Sequence, residues 1–293
     1  APVAHESSGL GRVLRALTDR RWAAATAAGA AADVAADVAA PPDEPREEPP
    51  LLRETWFGSV QLLVARERAG TAQGLAVAVK GGHNGEHHNH CDLGGVVVAL
   101  DGVPVVVDPG RPTYTAQTFG PDRYALWPVQ STSHSAPAPR GAGQGVGAHH
   151  AAQEVRCEVD ERSARVRMQL AGAYPEGTVR SWVRTVVLDR TAAEVVVDDA
   201  WEPWPGASGT GRVHWVLAGD VTLDHDRARA VVRSLGRTGT LELAWDAGCS
   251  ARVEVVPMLD PMLSGVWGET LVRLVVEAPP EVGGVRTRVR RSS

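Results

Sequence analysis

The chain has 293 residues, 43% of them apolar, and a formal net charge of -5. That is enough for one large domain or two ordinary ones with a substantial core, and the acidic balance argues against a protein wrapped around nucleic acid, whose footprint is a basic surface. No apolar run reaches the roughly 18 residues that span a bilayer, and Cys91, Cys157 and Cys249 form no C-x-x-C pair, which argues against a disulfide scaffold or thiolate zinc finger.

Residues 10–39 are Ala-rich, with Leu, Val, Arg and Asp interspersed. Ala is the strongest helix former, so residues 1–40 are expected to be a short helical segment, one or two helices broken near Gly29. No signal-peptide pattern is visible. The chain opens on Ala1 inside this helical pattern, so a preceding part of a helical domain is expected. Residues 41–50, PPDEPREEPP, read as a linker.

From Trp56 the pattern changes to short Val-, Leu- and Arg-rich runs between Gly, Pro and Asp turns. SVQLLVAR, GLAVAVK, GVVVAL, VPVVVD, EVRCEV, ARVRMQL, SWVRTVVL, AEVVVDD, RVHWVL, ARAVVRS, TLELAW, ARVEVVP and TLVRLVV all read as strands. Many short strands at even spacing predict a mainly β fold, one large antiparallel β-sandwich over residues 51–293. Residues 108–153 break the pattern with Gly, Pro, Ser and His. A loop of that length in a compact domain is usually functional or disordered.

Chemistry-bearing residues concentrate beside that loop. GGHNGEHHNHCDLGG, residues 81–95, holds four of the ten histidines. On an extended chain His88 and His90 share one face, converging on one ion or dividing into a ligand and a substrate-facing group. Cys91 then points to the opposite face from His90. Asp108 closes VPVVVD just before Pro109-Gly110, and His134 lies in STSHSAP within the long loop. Two His and one Asp suit zinc. Clustered loop histidines also occur simply solvated, and spacing alone would not pick out Asp108 or His134.

Several short blocks occur in a telling order: Gly82-His83-Asn84-Gly85-Glu86, His88-Asn89-His90-Cys91-Asp92, Val107-Asp108-Pro109-Gly110, Tyr114-Thr115, Arg123-Tyr124 with Trp127, Gln130-Ser131, His134, then AGAYPEG and SWVRTVVLDR. The series, over roughly residues 51–220, resembles the signature of the heparinase II/III family. The resemblance implies antiparallel C-terminal β-sheets that follow an N-terminal α/α toroid, and cleavage of uronate-containing polysaccharide by β-elimination. It matches His88 to the cleft histidine, and His90, Asp108 and His134 to the ligands of one structural zinc ion. The family's catalytic tyrosine, and an Asn or His facing the substrate carboxylate, come from the toroid, which this chain largely lacks. Alone it is therefore expected to be inactive. The resemblance also implies an acidic polysaccharide and the toroid as partners, and a cell-envelope, periplasmic or secreted setting. Cys91 and Ser135 depart from the pattern, each standing where Asn is usual.

Tyr114 and Tyr124, two of only three tyrosines, are candidates for catalysis or for ordinary loop packing. Arg111, Arg123 and Arg140 are candidates for bidentate pairing with sugar carboxylates. Glu86 reads as a support for a ligand histidine or as a solvated side chain, His214 as a core or sheet residue, and His149 and His150 as loop residues. Two other functions fit the fold: a non-catalytic carbohydrate-binding or interaction module, and a cupin-like metalloenzyme. The latter would want its third ligand soon after the histidine pair, and Asp108 lies eighteen residues beyond His90.

Overall fold

A computed structural model describes residues 51–292, apart from Ser208 and Thr238. The expected helical segment and linker over residues 1–50 lie outside the described residues. The first sheet comprises, in spatial order, β1 (Glu54–Phe57), β2 (Leu62–Arg66), β3 (Leu75–Lys80), β5 (Val96–Leu100), β6 (Val103–Val106), β12 (Gly211–Leu217), β17 (Thr270–Ala278) and β16 (Ser250–Pro257). The second comprises β13 (Gly219–Asp224), β14 (Arg229–Ser234), β15 (Thr240–Trp245), β18 (Gly284–Arg291), β11 (Glu194–Pro203), β10 (Val179–Asp189), β9 (Ser163–Gln169) and β8 (Gln153–Val159). Every pairing is antiparallel, including a small ribbon of β4 (His83–Asn84) and β7 (Gly147–Ala151). The fold is thus the antiparallel sandwich that the alternating runs predict.

Period-2 alternation builds the core. Leu75, Val77 and Val79 of β3 and Val96, Val98 and Leu100 of β5 share one buried cluster with Val166 and Met168 of β9 and Trp182, Val186 and Leu188 of β10. Each such side chain removed from water contributes on the order of 1.5–3 kcal/mol. Their neighbours Ala76, Ala78, Val97 and Ala99 form a second buried cluster with Leu62 and Val64. A third joins Val107, Val216 and Ala218 to Leu263 and Trp267 of α1 (Pro261–Trp267). Asp260 caps this helix, accepting from the N–H of Met262 and Leu263, and Trp267 Nε1 donates to Pro109 O at 2.9 Å. The turn that follows Asp108 is thereby fastened to the sheet.

Several elements escape the sequence reading. β1, β13, β18 and α1 were not expected, and β18 is a central strand. Its Arg286, Arg288 and Arg290 look like surface in the sequence, yet they alternate with buried Val285, Thr287 and Val289. The long loop is built of short 3-10 turns at Ala116–Phe119, Pro121–Ala125, Trp127–Val129, Ser131–Ser133 and Pro139–Gly141 before it enters β7. His149 and His150 stand on that strand rather than in a loop.

One charged side chain crosses the sandwich. Arg184 of β10 is fully buried. Its Nε and Nη2 donate to the two oxygens of Asp199, each at 2.8 Å, while Nη1 donates to Gly94 O at 2.7 Å and Ser135 O at 3.1 Å. Trp182 Nε1 donates to Asp199 as well, at 2.7 Å. Removing one member of such a buried pair strands the other and costs about 3–5 kcal/mol. Arg184→Met is therefore expected to lower unfolding stability by about that amount, while Arg184→Met with Asp199→Leu recovers part of it. Denaturant titration of both variants checks this; equal losses would show that the pair is not coupled.

His214 on β12 is buried, as expected of a sheet residue. Burial, with Arg273 nearby, depresses its pKa from 6.5 to about 4. The unfolded chain then binds the proton more readily, so His214 contributes stability that is full above pH 6.5 and is lost as pH falls toward 4. His214→Gln should flatten this part of the stability–pH curve, measured by denaturant unfolding at about pH 5 and 7. An unchanged slope would rule His214 out as its cause.

Candidate functional site

Three segments deliver the site. The turn after β4 carries His90. Asp108 follows β6, with Val107 still bonded through its N–H to Val216 O at 2.8 Å. His134 leaves the 3-10 turn Ser131–Ser133. All three are buried, and one ligand atom of each lies within 4.8 Å of the others. His134 Nδ1 lies 2.9 Å from Asp108 Oδ2, and the His90 and His134 ring centroids are 5.4 Å apart. Gly110 N–H donates to the other Asp108 oxygen at 2.8 Å, from a turn where Gly110 has φ 81° and a side chain would be strained.

The electrostatics follow from burial and proximity. Burial, assisted by His134, pushes His90 down to about 4, which favours the neutral ring with one nitrogen lone pair free. Burial opposes ionisation of Asp108, but His134 outweighs it and holds the carboxyl below its ordinary range. Burial likewise opposes the charged form of His134, and Asp108 outweighs it and raises the imidazole. His90 Nδ1 and His134 Nε2 are buried with no hydrogen-bond partner. Each such orphan costs about 1–3 kcal/mol. Two unpartnered imidazole nitrogens beside an ionised carboxylate fit a divalent cation that accepts nitrogen and oxygen ligands, as zinc does.

The turn that presents His90 is clamped from the long loop. Tyr124 Oη donates to Asn89 Oδ1 at 2.9 Å, Arg123 Nη2 donates to Asn89 O at 2.7 Å, and Asn89 Nδ2 donates to Asn84 O at 2.9 Å. At the base of the turn Lys80 pairs with Glu86 at 3.1 Å and Asp92 at 3.5 Å. Glu86 is thus neither a histidine support nor merely solvated. Ser135 Oγ accepts from Val216 N at 2.9 Å, holding the residue next to His134 against β12. Cys91 is buried with Sγ toward Gly145 O, and burial lifts its thiol to about 12. It is unreactive there.

The other sequence candidates separate. His88 and His90 were expected on one face of an extended chain. Instead His88 sits in a turn with φ 54° and is exposed, so the two imidazoles do not converge. The His88 ring lies 6.2 Å from the rings of Tyr114 and Phe119, stacked with the first and edge-on to the second. Arg111 holds its guanidinium 4.7 Å above the Tyr114 ring. Arg123 and Tyr124 have their polar groups engaged in the clamp. Arg140 donates to Gly177 O at 2.8 Å, its backbone N–H bonds Thr210 O, and it does not join the His88 group. The sequence reading missed Phe119, Asn89, Lys80 and Arg184. Only their final neighbours distinguish them from ordinary loop or strand residues.

Comparison with known proteins gives the arrangement a family. The sequence model for the heparinase II/III-like C-terminal domain matches residues 57–256. No curated protein sequence matches. Among solved structures, the heparan sulfate lyase HepC from Pedobacter heparinus superposes with a TM-score of 0.68 at 17% identity, over 94% of this chain and 42% of that one. A heparinase III structure gives 0.60 at 15% identity, over 81% of this chain and 36% of that one. The heparinase III BT4657 gene product gives 0.60 at 13%, over 94% and 41%. At such identities the likeness speaks for the fold, and the chain spans about two fifths of the length of these proteins. With the family model covering most of its described length, the chain belongs to the heparinase II/III-like family as a C-terminal β domain.

Proposed function

We propose that this chain is the metal-stabilised β part of a polysaccharide lyase that cleaves uronate-containing acidic polysaccharide by β-elimination. The observation that carries the reading is a division of labour in one short turn. His90 is buried in the three-residue ligand cluster, and His88, two residues away, is exposed beside Tyr114. Family membership and the names of the similar enzymes supply the reaction class.

In β-elimination a base removes the C5 proton of the uronate. The electron pair forms the C4–C5 double bond, the C4–O bond breaks, and the leaving oxygen takes a proton. The C5 proton is weakly acidic until the neighbouring carboxylate is neutralised, so the site must stabilise developing enolate charge. His88, with no hydrogen bond to the described residues, is the proton-transfer group on this side of the sugar, and Tyr114 is the hydroxyl beside it. The opposite wall belongs to an N-terminal toroid. His90, Asp108 and His134 would hold one Zn2+, which when bound pins the turn of His90 to the loop of His134. The ion competes with a proton for the His90 and His134 ring nitrogens, so acid should release it.

Elemental analysis is expected to find about one equivalent of zinc in the purified protein, absent from His90→Ala, with a lower melting temperature in the stripped form. Metal retained by His90→Ala would refute the ligand set. In a protein extended N-terminally through the helical domain, His88→Ala should keep metal and fold while losing about 10²–10⁴-fold in turnover, followed by absorbance of the new double bond. Near-normal turnover would remove His88 from the mechanism. The 293-residue chain alone should be nearly silent in that assay, for it supplies only one side of the sugar. If sugar binds but no polymer is cleaved by the extended protein either, the chain is a binding module.

A further inference from the structure

We infer that Tyr114, Phe119 and Arg111 form a sugar subsite: the exposed Phe119 ring takes the apolar face of a pyranose, Tyr114 beside it carries Arg111 over its ring, and Arg111 takes the anionic group that the sugar carries. The class of sugar rests on the lyase reading above; the subsite itself rests on geometry.

Tyr114 and Phe119 are 41% and 65% exposed, on a loop where burial is available to neighbours such as Thr118. Their rings meet edge to face, with centroids 5.3 Å apart at 67°, and so make an angled apolar wall. His88 closes a third side at 6.2 Å from both rings. A pyranose presents axial C–H bonds on one face and hydroxyls at its edge. It can therefore lie on an aromatic ring while its polar rim stays free to pair, which is how aromatic side chains bind amphipathic partners.

The polar groups around the wall are unspent. Among the described residues no hydrogen bond or ion pair reaches the Tyr114 hydroxyl, the His88 imidazole or the Arg111 guanidinium. The contrast with adjacent residues is sharp, since Tyr124 and Arg123 have their groups engaged with Asn89. Arg111 is instead held over Tyr114, 4.7 Å from the ring centre, and carries a fork of donors suited to a carboxylate or sulfate. In a chain with a net charge of -5, an arginine with no carboxylate partner is a local cation of the kind that an anionic polymer needs.

The wall is also fixed before any ligand arrives. Thr113 donates through N–H and Oγ1 to Asp260 at 2.9 and 3.1 Å, and Asp260 is the cap of α1. Thr115 N–H donates to Thr118 Oγ1 at 2.9 Å, closing the turn between the two aromatics. Such preorganisation lowers the ordering cost of binding.

The test uses two small probes that no lyase can cleave, methyl β-D-glucuronide and its neutral counterpart methyl β-D-glucoside, titrated by NMR into the same extended, zinc-loaded protein. The glucuronide is expected to bind more tightly. Phe119→Ala should weaken both probes by about five- to tenfold, whereas Arg111→Ala should weaken the glucuronide alone, to the level of the glucoside. Phe119 is so exposed that its loss should leave the melting temperature unchanged. If Phe119→Ala lowers the melting temperature and leaves both probes bound as before, the ring packs against another part of the protein, and the subsite is overturned. Equal weakening of both probes by Arg111→Ala overturns the anionic assignment. Polysaccharide cleavage by the unsubstituted protein is measured separately. Cleavage with probe binding indifferent to Phe119 sinks the subsite alone, and probe binding that responds as stated without cleavage of any uronate polymer sinks the lyase reading alone.

Discussion

The buried ion pair between Arg184 and Asp199 is the constraint on which the rest of the site depends. A guanidinium with no solvent exposure is tolerated only if its donors are answered. Asp199 answers two of them, and the Gly94 and Ser135 carbonyls answer a third. Those carbonyls belong to the end of the His90 segment and to the residue after His134. The second sheet therefore holds, through one side chain, both loops that carry the His90 and His134 imidazoles. Gly94 makes the approach possible. It has φ 75°, and a Cβ there would meet Leu170 at 2.5 Å, so a larger residue would push the carbonyl away from Arg184.

Around that strut the site divides into a buried part and an exposed part, and the turn from His88 to His90 joins them. Burial is what makes His90 a lone-pair donor, and it is also what leaves the His90 and His134 nitrogens without partners. The same turn gives His88 a positive φ, which throws its imidazole outward to the aromatic loop. Tyr124 and Arg123 contribute by gripping Asn89 between the two histidines, so a change in the long loop would be felt by both at once. The buried and the exposed histidine lie within three consecutive residues, and neither can be moved without the other.

Much of this was legible in the sequence, for identifiable reasons. Runs such as GLAVAVK carry period-2 alternation strong enough to name both strand and buried face, and the order of short blocks around His88, Asp108 and His134 carried the family. The histidine pair was misread because an extended backbone was assumed. Glu86-His87-His88-Asn89 contains no glycine, and although histidine is enriched at positive φ it adopts that conformation at only a small share of positions. β18 was missed because arginines at alternate positions look like surface when the partner strands are unknown. The exposure of Phe119 and the free guanidinium of Arg111 depend on neighbours far along the chain, and no local pattern encodes them.

The position of β18 also governs the order in which the fold can be assembled. Within the second sheet, β8 to β11 form one consecutive block and β13 to β15 another, and among the described residues β18 is the only strand that pairs with both. It is synthesised after either block. Between the end of β11 at Pro203 and the end of β18 at Arg291 the ribosome must add 88 residues, which at about 5–20 residues per second is on the order of ten seconds. For that interval β11, joined by β15 once Trp245 has been added, presents an open edge, the kind of edge at which nascent chains pair wrongly. On β11, Glu194, Asp198 and Glu202 put charge along one of these edges until the joining strand arrives.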